Sequence, residues 1–167
     1  MAIFPIRTFG DPVLRTPAEP VTEFDRVLAR LIDDLLETMY EAPGVGLAAP
    51  QIGVSRRVFV ADVGDGPIVM ANPVIVETSD SWTFEEGCLS VPGKLWSLKR
   101  PGFARARGFD GNGNDIVVEG DELLGRVLQH EIDHLEGMLL LERLPRRTRK
   151  QALSELTEEA LGLRTGG

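Results

Sequence analysis

The chain has 167 residues, 43% of them hydrophobic and 26% charged, with a formal net charge of −8 at pH 7. Such a length buries roughly two-thirds of the unfolded surface and reads as one domain, 1–167; the acidic balance excludes broad nucleic-acid binding, which needs a basic face. Met138-Leu139-Leu140-Leu141 is far too short for a membrane span, and Met1-Ala2-Ile3-Phe4-Pro5 lacks the regions of a secretory signal, so no membrane partner and a cytoplasmic location are expected.

In chain order, Pro5 to Pro20 is rich in Pro, Thr and Asp and reads as extended or loop-rich. From about Phe24 to Tyr40, Phe24, Val27, Leu28, Leu31, Ile32, Leu35, Leu36 and Met39 recur at helical spacing, with Thr22 as the expected cap and Pro43-Gly44 as the stop. In Gly44-Val45-Gly46-Leu47-Ala48-Ala49-Pro50-Gln51-Ile52-Gly53 small residues dominate. The stretch has neither the Gly-Lys-Ser/Thr ending nor the Gly-x-Gly-x-x-Gly register of a phosphate loop, leaving a tight strand–turn junction or a place for a ligand to approach the backbone closely.

Six strands follow: Val58–Asp62, Ile68–Ala71, Val74–Thr78, Ser81–Glu85, Phe103–Phe109 and Ile116–Glu119, the last two joined by the hairpin signal Asp110-Gly111-Asn112-Gly113. A helix from about Asp121 to Glu136 stops at Gly137, and a second amphipathic helix runs from about Thr148 to Leu163. Antiparallel strands followed by helices predict an α+β fold: antiparallel sheets around a central helix, with N-terminal and C-terminal helices beside it.

That central helix carries His130-Glu131-Ile132-Asp133-His134. Imidazoles four residues apart project from one helix face and can grip one divalent metal, while Glu131 can take a proton from a water activated there. The plainer alternative is a surface helix that happens to bear two histidines. Leu123, Leu124, Val127, Leu128, Ile132 and Leu135 argue against it, because their spacing predicts a buried stripe with both histidines beside it. These are also the chain's only histidines.

A hydrolytic metal site takes three protein ligands and an open position, so the third ligand is acidic or is Cys88. Cys88 is the single cysteine, so no intramolecular disulfide forms. A lone cysteine is commonly a small buried hydrophobe, but this one sits in Glu86-Gly87-Cys88-Leu89-Ser90, at a strand end beside a glycine. Glu136 or Glu142 as third ligand would suit a zincin-type endopeptidase. The Cys/His/His set is the more economical reading. A non-catalytic module with a structural metal is a further rival, disfavoured because such sites close with four ligands.

Three blocks, Gly44 to Gln51, Glu86 to Ser90 and Gln129 to Leu135, stand in an order and spacing that closely resemble the peptide deformylase family over nearly the whole chain. The resemblance implies a metal-dependent hydrolase that removes the N-terminal formyl group from formyl-methionyl nascent polypeptides, releasing formate. It implies Cys88, His130 and His134 as metal ligands and Glu131 as general base and later proton donor. Gln51 and the Leu89 backbone N–H would form the oxyanion hole. The backbone around Val45, Gly46 and Gly87 would receive an extended peptide, as in strand addition, and Glu86 would pair with Arg100 to brace a ligand histidine. The implied cofactor is one divalent metal per chain, ferrous iron, with zinc, nickel or cobalt as substitutes.

Two departures stand out. Many members carry an arginine seven residues after the ligand cysteine; here that position is Leu95, which predicts a more apolar pocket mouth. Bacterial members often have a basic C-terminal helix that contacts the ribosome, whereas here only residues 146–150 are basic and an acidic stretch follows. A solvated helix with charge pairs along it accounts for that pattern, and the resemblance adds at most a weak ribosome contact.

Overall fold

The structure, a computed structural model, describes residues 2–162. A 3₁₀ turn at Pro12–Arg15 punctuates the extended N-terminal segment. The first helix, α1 (Arg26–Glu41), starts later than its periodicity suggests. Its cap is Asp25, whose carboxylate accepts from the Leu28 N–H at 3.0 Å, and not Thr22. An aspartate three residues before a free helical N–H satisfies it directly. Leu28, Ile32, Leu35 and Met39 form the buried face, packed on Leu47, Val58, Val60 and Ala71. Val27, placed on that stripe by its spacing, instead faces solvent.

Seven strands follow: β1 (Gly46–Ala48), β2 (Val58–Ala61), β3 (Ile68–Ser79), β4 (Trp82–Cys88), β5 (Val91–Arg100), β6 (Phe103–Phe109) and β7 (Asp115–Asp121). Five form an antiparallel sheet in the order β1-β2-β3-β6-β7; β4 and β5 pair separately as a two-stranded hairpin. The two strands expected at 68–71 and 74–78 are one strand, because the irregularity around Pro73 is a register shift against β6 and not a break. β5 has no counterpart among the expected strands: Pro92, Gly93 and Lys94 hide its periodicity, and pairing with β4 supplies what its own propensity lacks. β6 and the β6–β7 hairpin fall where expected.

The second helix, α2 (Glu122–Leu135), ends before Gly137, whose φ of 78° terminates helices. Val127, Leu128, Ile132 and Leu135 pack on Phe59, Ala61, Met70 and Ala106 of the larger sheet, each buried aliphatic side chain contributing ~1.5–3 kcal/mol. The helix is more enclosed than a one-sided stripe requires. Every residue from Gly125 to Leu135 is buried, because residues of the β4–β5 hairpin meet its polar face.

The third helix, α3 (Arg146–Ala160), seats Ala152 among Leu98, Leu140, Leu141 and Leu144. Leu163, the expected end, lies outside the described residues. Among the described residues no helix is long and apolar enough to cross a membrane.

Candidate metal centre

Helix α2 presents His130 and His134 one turn apart, and β4 ends at Cys88 directly opposite them. The two imidazole Nε2 atoms stand 3.2 Å apart, and Cys88 Sγ is 3.3 Å from His134 Nε2. All three donor atoms lie within 4.8 Å of one another. Tetrahedral coordination with bonds of ~2.0–2.1 Å to nitrogen and ~2.3 Å to sulfur would separate donors by roughly 3.3–3.6 Å, so the cluster has the dimensions of one metal ion. Neither acidic alternative joins it. Glu136 pairs with Arg57 at 2.9 Å, while Glu142 accepts from Leu139 N–H and pairs with Arg15.

Electrostatics favour a cation at this point. Burial pushes the Cys88 thiol up, but the charges of His134 and then His130 outweigh it and hold its pKa well below the usual thiol range. For His130, burial opposes protonation, yet the neighbouring Cys88 and Glu86 draw positive charge onto the ring. A thiolate that attracts a proton onto an adjacent imidazole would equally attract a divalent ion. Glu86 Oε2 lies 2.7 Å from His130 Nδ1. An ionised carboxylate only accepts, so Nδ1 carries the hydrogen, which leaves Nε2 as the nitrogen that would give up its proton and present a lone pair to a metal. Glu86 stays ionised: burial opposes it, but His130 and Arg100 outweigh burial and bring its pKa to about 2.

Glu131 is also buried, and Oε2 has no protein partner. Burial pushes its carboxyl up to about 7, with the positive charge of the histidines acting the other way. Gly46 explains how β1 comes so close, since a Cβ at that position would stand 2.7 Å from Glu131 Oε1. The Gln51 side chain is fixed at both ends. Its Oε1 accepts from Ala48 N–H at 3.0 Å, and its Nε2 donates to Ser90 Oγ at 3.1 Å and lies 3.7 Å from Cys88 Sγ. Leu89 follows Cys88 at the turn into β5, against Gly44.

A cleft of about 550 Å³ opens beside the cluster, walled by Val45, Phe84, Leu95, Leu123 and Val127, with Cys88, His130 and Glu131 also lining it. β1 is the edge strand of the larger sheet, and Val45 and Gly46 border the cleft along it. Gly87 also lines the cleft; a Cβ there would stand 3.2 Å from the Lys94 backbone carbonyl and against the flexible end of Leu95. Leu95 is exposed at the mouth, over Gly87.

Sequence reasoning missed three residues of this region. Asp133 accepts from Arg100 at 2.8 Å and from Arg143 at 2.8 Å, although it lies inside the motif. Arg126 donates to Glu86 at 3.2 Å; its position one turn before His130 was the available signal. Ser90, which holds Gln51, lies at the end of the Glu86–Ser90 block but was given no role of its own.

Residues 3–150 match the profile of the family described as Polypeptide deformylase. The chain is 55% identical over 159 residues to the peptide deformylase of Acidothermus cellulolyticus, covering 95% of this chain and 88% of that protein. Among solved structures it resembles the peptide deformylase of Thermus thermophilus, with TM-score 0.90 and 45% identity over 96% of this chain and 97% of the other. The enzyme from Legionella pneumophila superposes with TM-score 0.89 at 42% identity, over 98% and 99% of the two chains.

Proposed function

The chain belongs to the peptide deformylase family, metal-dependent enzymes that remove the N-terminal formyl group of nascent peptides, and from that premise we propose how residues of this chain, acting as a single catalytic domain over 1–167, divide the work. Cys88, His130 and His134 would hold the metal, which when bound would supply Lewis-acid activation of a water and of the formyl carbonyl. Glu131 accepts a proton from the water as its oxygen attacks the formyl carbon. It then returns that proton to the nitrogen as the C–N bond breaks, so that formate and a free amine leave. Burial, which raises the Glu131 carboxyl above the usual carboxylate range, favours its exchanging a proton with a bound water.

Charge builds on the former carbonyl oxygen during attack. Gln51 Nε2 and the Leu89 N–H are the donors assigned to it; Ala48 and Ser90 hold the Gln51 amide ready, so little reorganisation is needed. The sheet edge where Val45 leads into β1 at Gly46, with Gly87 also lining the cleft, receives the substrate main chain as an added strand. The methionine side chain enters the apolar cleft.

The observation that supports the assignment is the approach of the Cys88 sulfur to the ring nitrogens of His130 and His134, from distant parts of the chain, beside the buried Glu131. Incubation with a formyl-Met tripeptide should release formate without internal cleavage. Internal cleavage of unformylated peptides would instead favour an endopeptidase.

Thiolate and imidazole ligands accept iron, zinc, nickel and cobalt, and ferrous iron is the resident metal in our reading. Anaerobic purification with elemental analysis tests it, and activity should then decay in air as metal and thiolate oxidise. The exposed basic stretch 146–150 is the surface we assign to a weak ribosome contact in the cytoplasm; salt-dependent co-sedimentation with ribosomes, lost when those residues are neutralised, tests that reading.

A further inference from the structure

The candidate ligands come from two packing units. The buried apolar residues of α2 belong with the five-stranded sheet, whereas Leu98 and Trp96 of β5, with Cys88, pack on Leu140, Leu141, Leu144 and α3. Among the described residues, none of α2 belongs to that second cluster. Polar contacts bridge the seam. Glu86 reaches His130, Arg100 reaches Asp133 at 2.8 Å, and Arg126 reaches back from the helix.

Arg126 makes the widest of these bridges. Its side chain is 2% exposed. One guanidinium nitrogen donates to Glu86 Oε1 at 3.2 Å and to the Leu98 carbonyl at 3.0 Å; another donates to the Trp82 carbonyl. Its Nε has no protein partner. The plane lies over Trp82 at 5.3 Å and Phe84 at 6.0 Å, rings that stack on each other. One planar fork thus touches both strands of the hairpin, which a single ammonium cannot do with the same geometry. Arg126, His130 and His134 share one helix face, so the side chain gripping the hairpin and those facing Cys88 are rows of the same surface.

We propose that Arg126 is a positioning residue: by tying Trp82, Glu86 and Leu98 of the β4–β5 hairpin to α2, it holds the Cys88 sulfur in register with the imidazoles of His130 and His134. Glu86 keeps Arg100 when Arg126 is removed, so the loss is one of alignment and not an orphaned buried charge. The proposal rests on the ligand set assigned above, and its test separates the two.

Cobalt(II) is the probe, because a thiolate bound to it gives a sulfur-to-metal charge-transfer band. Full-length wild type, Arg126→Met, Arg126→Lys and Cys88→Ser proteins are loaded with cobalt(II), and loss of the band into excess chelator is timed. Wild type should show the band and Cys88→Ser should lack it. Arg126→Met, which keeps the apolar stem along the cleft, should show it but release cobalt ~10–100-fold faster, with the activity loss in kcat and little change in KM. Arg126→Lys should release about 10-fold faster, and it carries the test if the Met variant does not fold. Release at the wild-type rate in the folded variants overturns the positioning role and leaves the ligand set standing. A change confined to the unfolding midpoint of the metal-free proteins, with release unaltered, overturns it equally. Absence of the band from wild type overturns the ligand set, and the proposal with it.

Discussion

At Glu86 four donors meet one carboxylate: Arg100 through Nε and a terminal nitrogen, Arg126, and His130 Nδ1. A carboxylate with every lone-pair direction engaged cannot rotate, so the His130 ring it holds cannot turn Nε2 away from Cys88. Glu131 is the opposite case, buried with one oxygen unpartnered and its pKa raised to about 7. Replacing it by Ala should leave bound metal unchanged while kcat falls ~10²–10⁴-fold; metal analysis and steady-state kinetics on one preparation decide this, and an unchanged kcat would remove Glu131 from the reaction. Gly46 offers a subtler probe. The Cβ of Gly46→Ala would stand 2.7 Å from Glu131 Oε1 and push the carboxylate aside. A displacement near 1 Å can cost ~10²-fold, so a drop in kcat with full metal content is expected, and wild-type kcat would show that the carboxylate has slack.

Helix α2 and the β4–β5 hairpin carry unequal shares of stability and chemistry. The helix is anchored by aliphatic packing on the large sheet, with Leu128 fully buried in it. Leu128→Ala should destabilise the metal-free protein by ~2–5 kcal/mol in urea unfolding; a loss well under that range would mean the helix is held mainly by its polar face. The hairpin depends on strand pairing, the α3 side of the core and the charged bridges to α2. Lys94 in β5 also pairs with Glu159 of α3 at 2.6 Å, but both are partly exposed and such a pair adds little.

Across the molecule, a metal ion would join the two packing units, because Cys88 belongs to one and the helix that carries the histidines to the other. A ligand that binds only the folded state stabilises it, by ~2.7 kcal/mol at a free concentration 100 times Kd. For a chain of this size that corresponds to roughly 5–10 °C in Tm. Chelation should lower the Tm of wild type by about that amount. It should leave Cys88→Ser, which lacks the sulfur of the proposed ligand set, nearly unmoved. An equal Tm with and without chelator in wild type would argue that the two units are docked before any metal arrives.

Much of this was legible without coordinates. The periodicity of α1 and α2, the alternation of β6 and the hairpin at Asp110 to Gly113 are local signals, since helical turns and strand pleats repeat over a few neighbours. The spacing of His130 and His134 is local too, and the three motif blocks named the family because their residues and order survive in one dimension. β5 was invisible because its pairing partner, β4, supplies what Pro92, Gly93 and Lys94 lack. Arg126 and Asp133 read as ordinary helix polars until the hairpin covered them. Gly87 faces Leu95 across the hairpin, and the Lys94 carbonyl crowds the place of its missing Cβ, a closeness that appears only on pairing. Patterns written along the chain thus specified most of the elements and nominated the candidate donor atoms; where those atoms stand, and what holds them there, depended on distances between segments that only folding brings together.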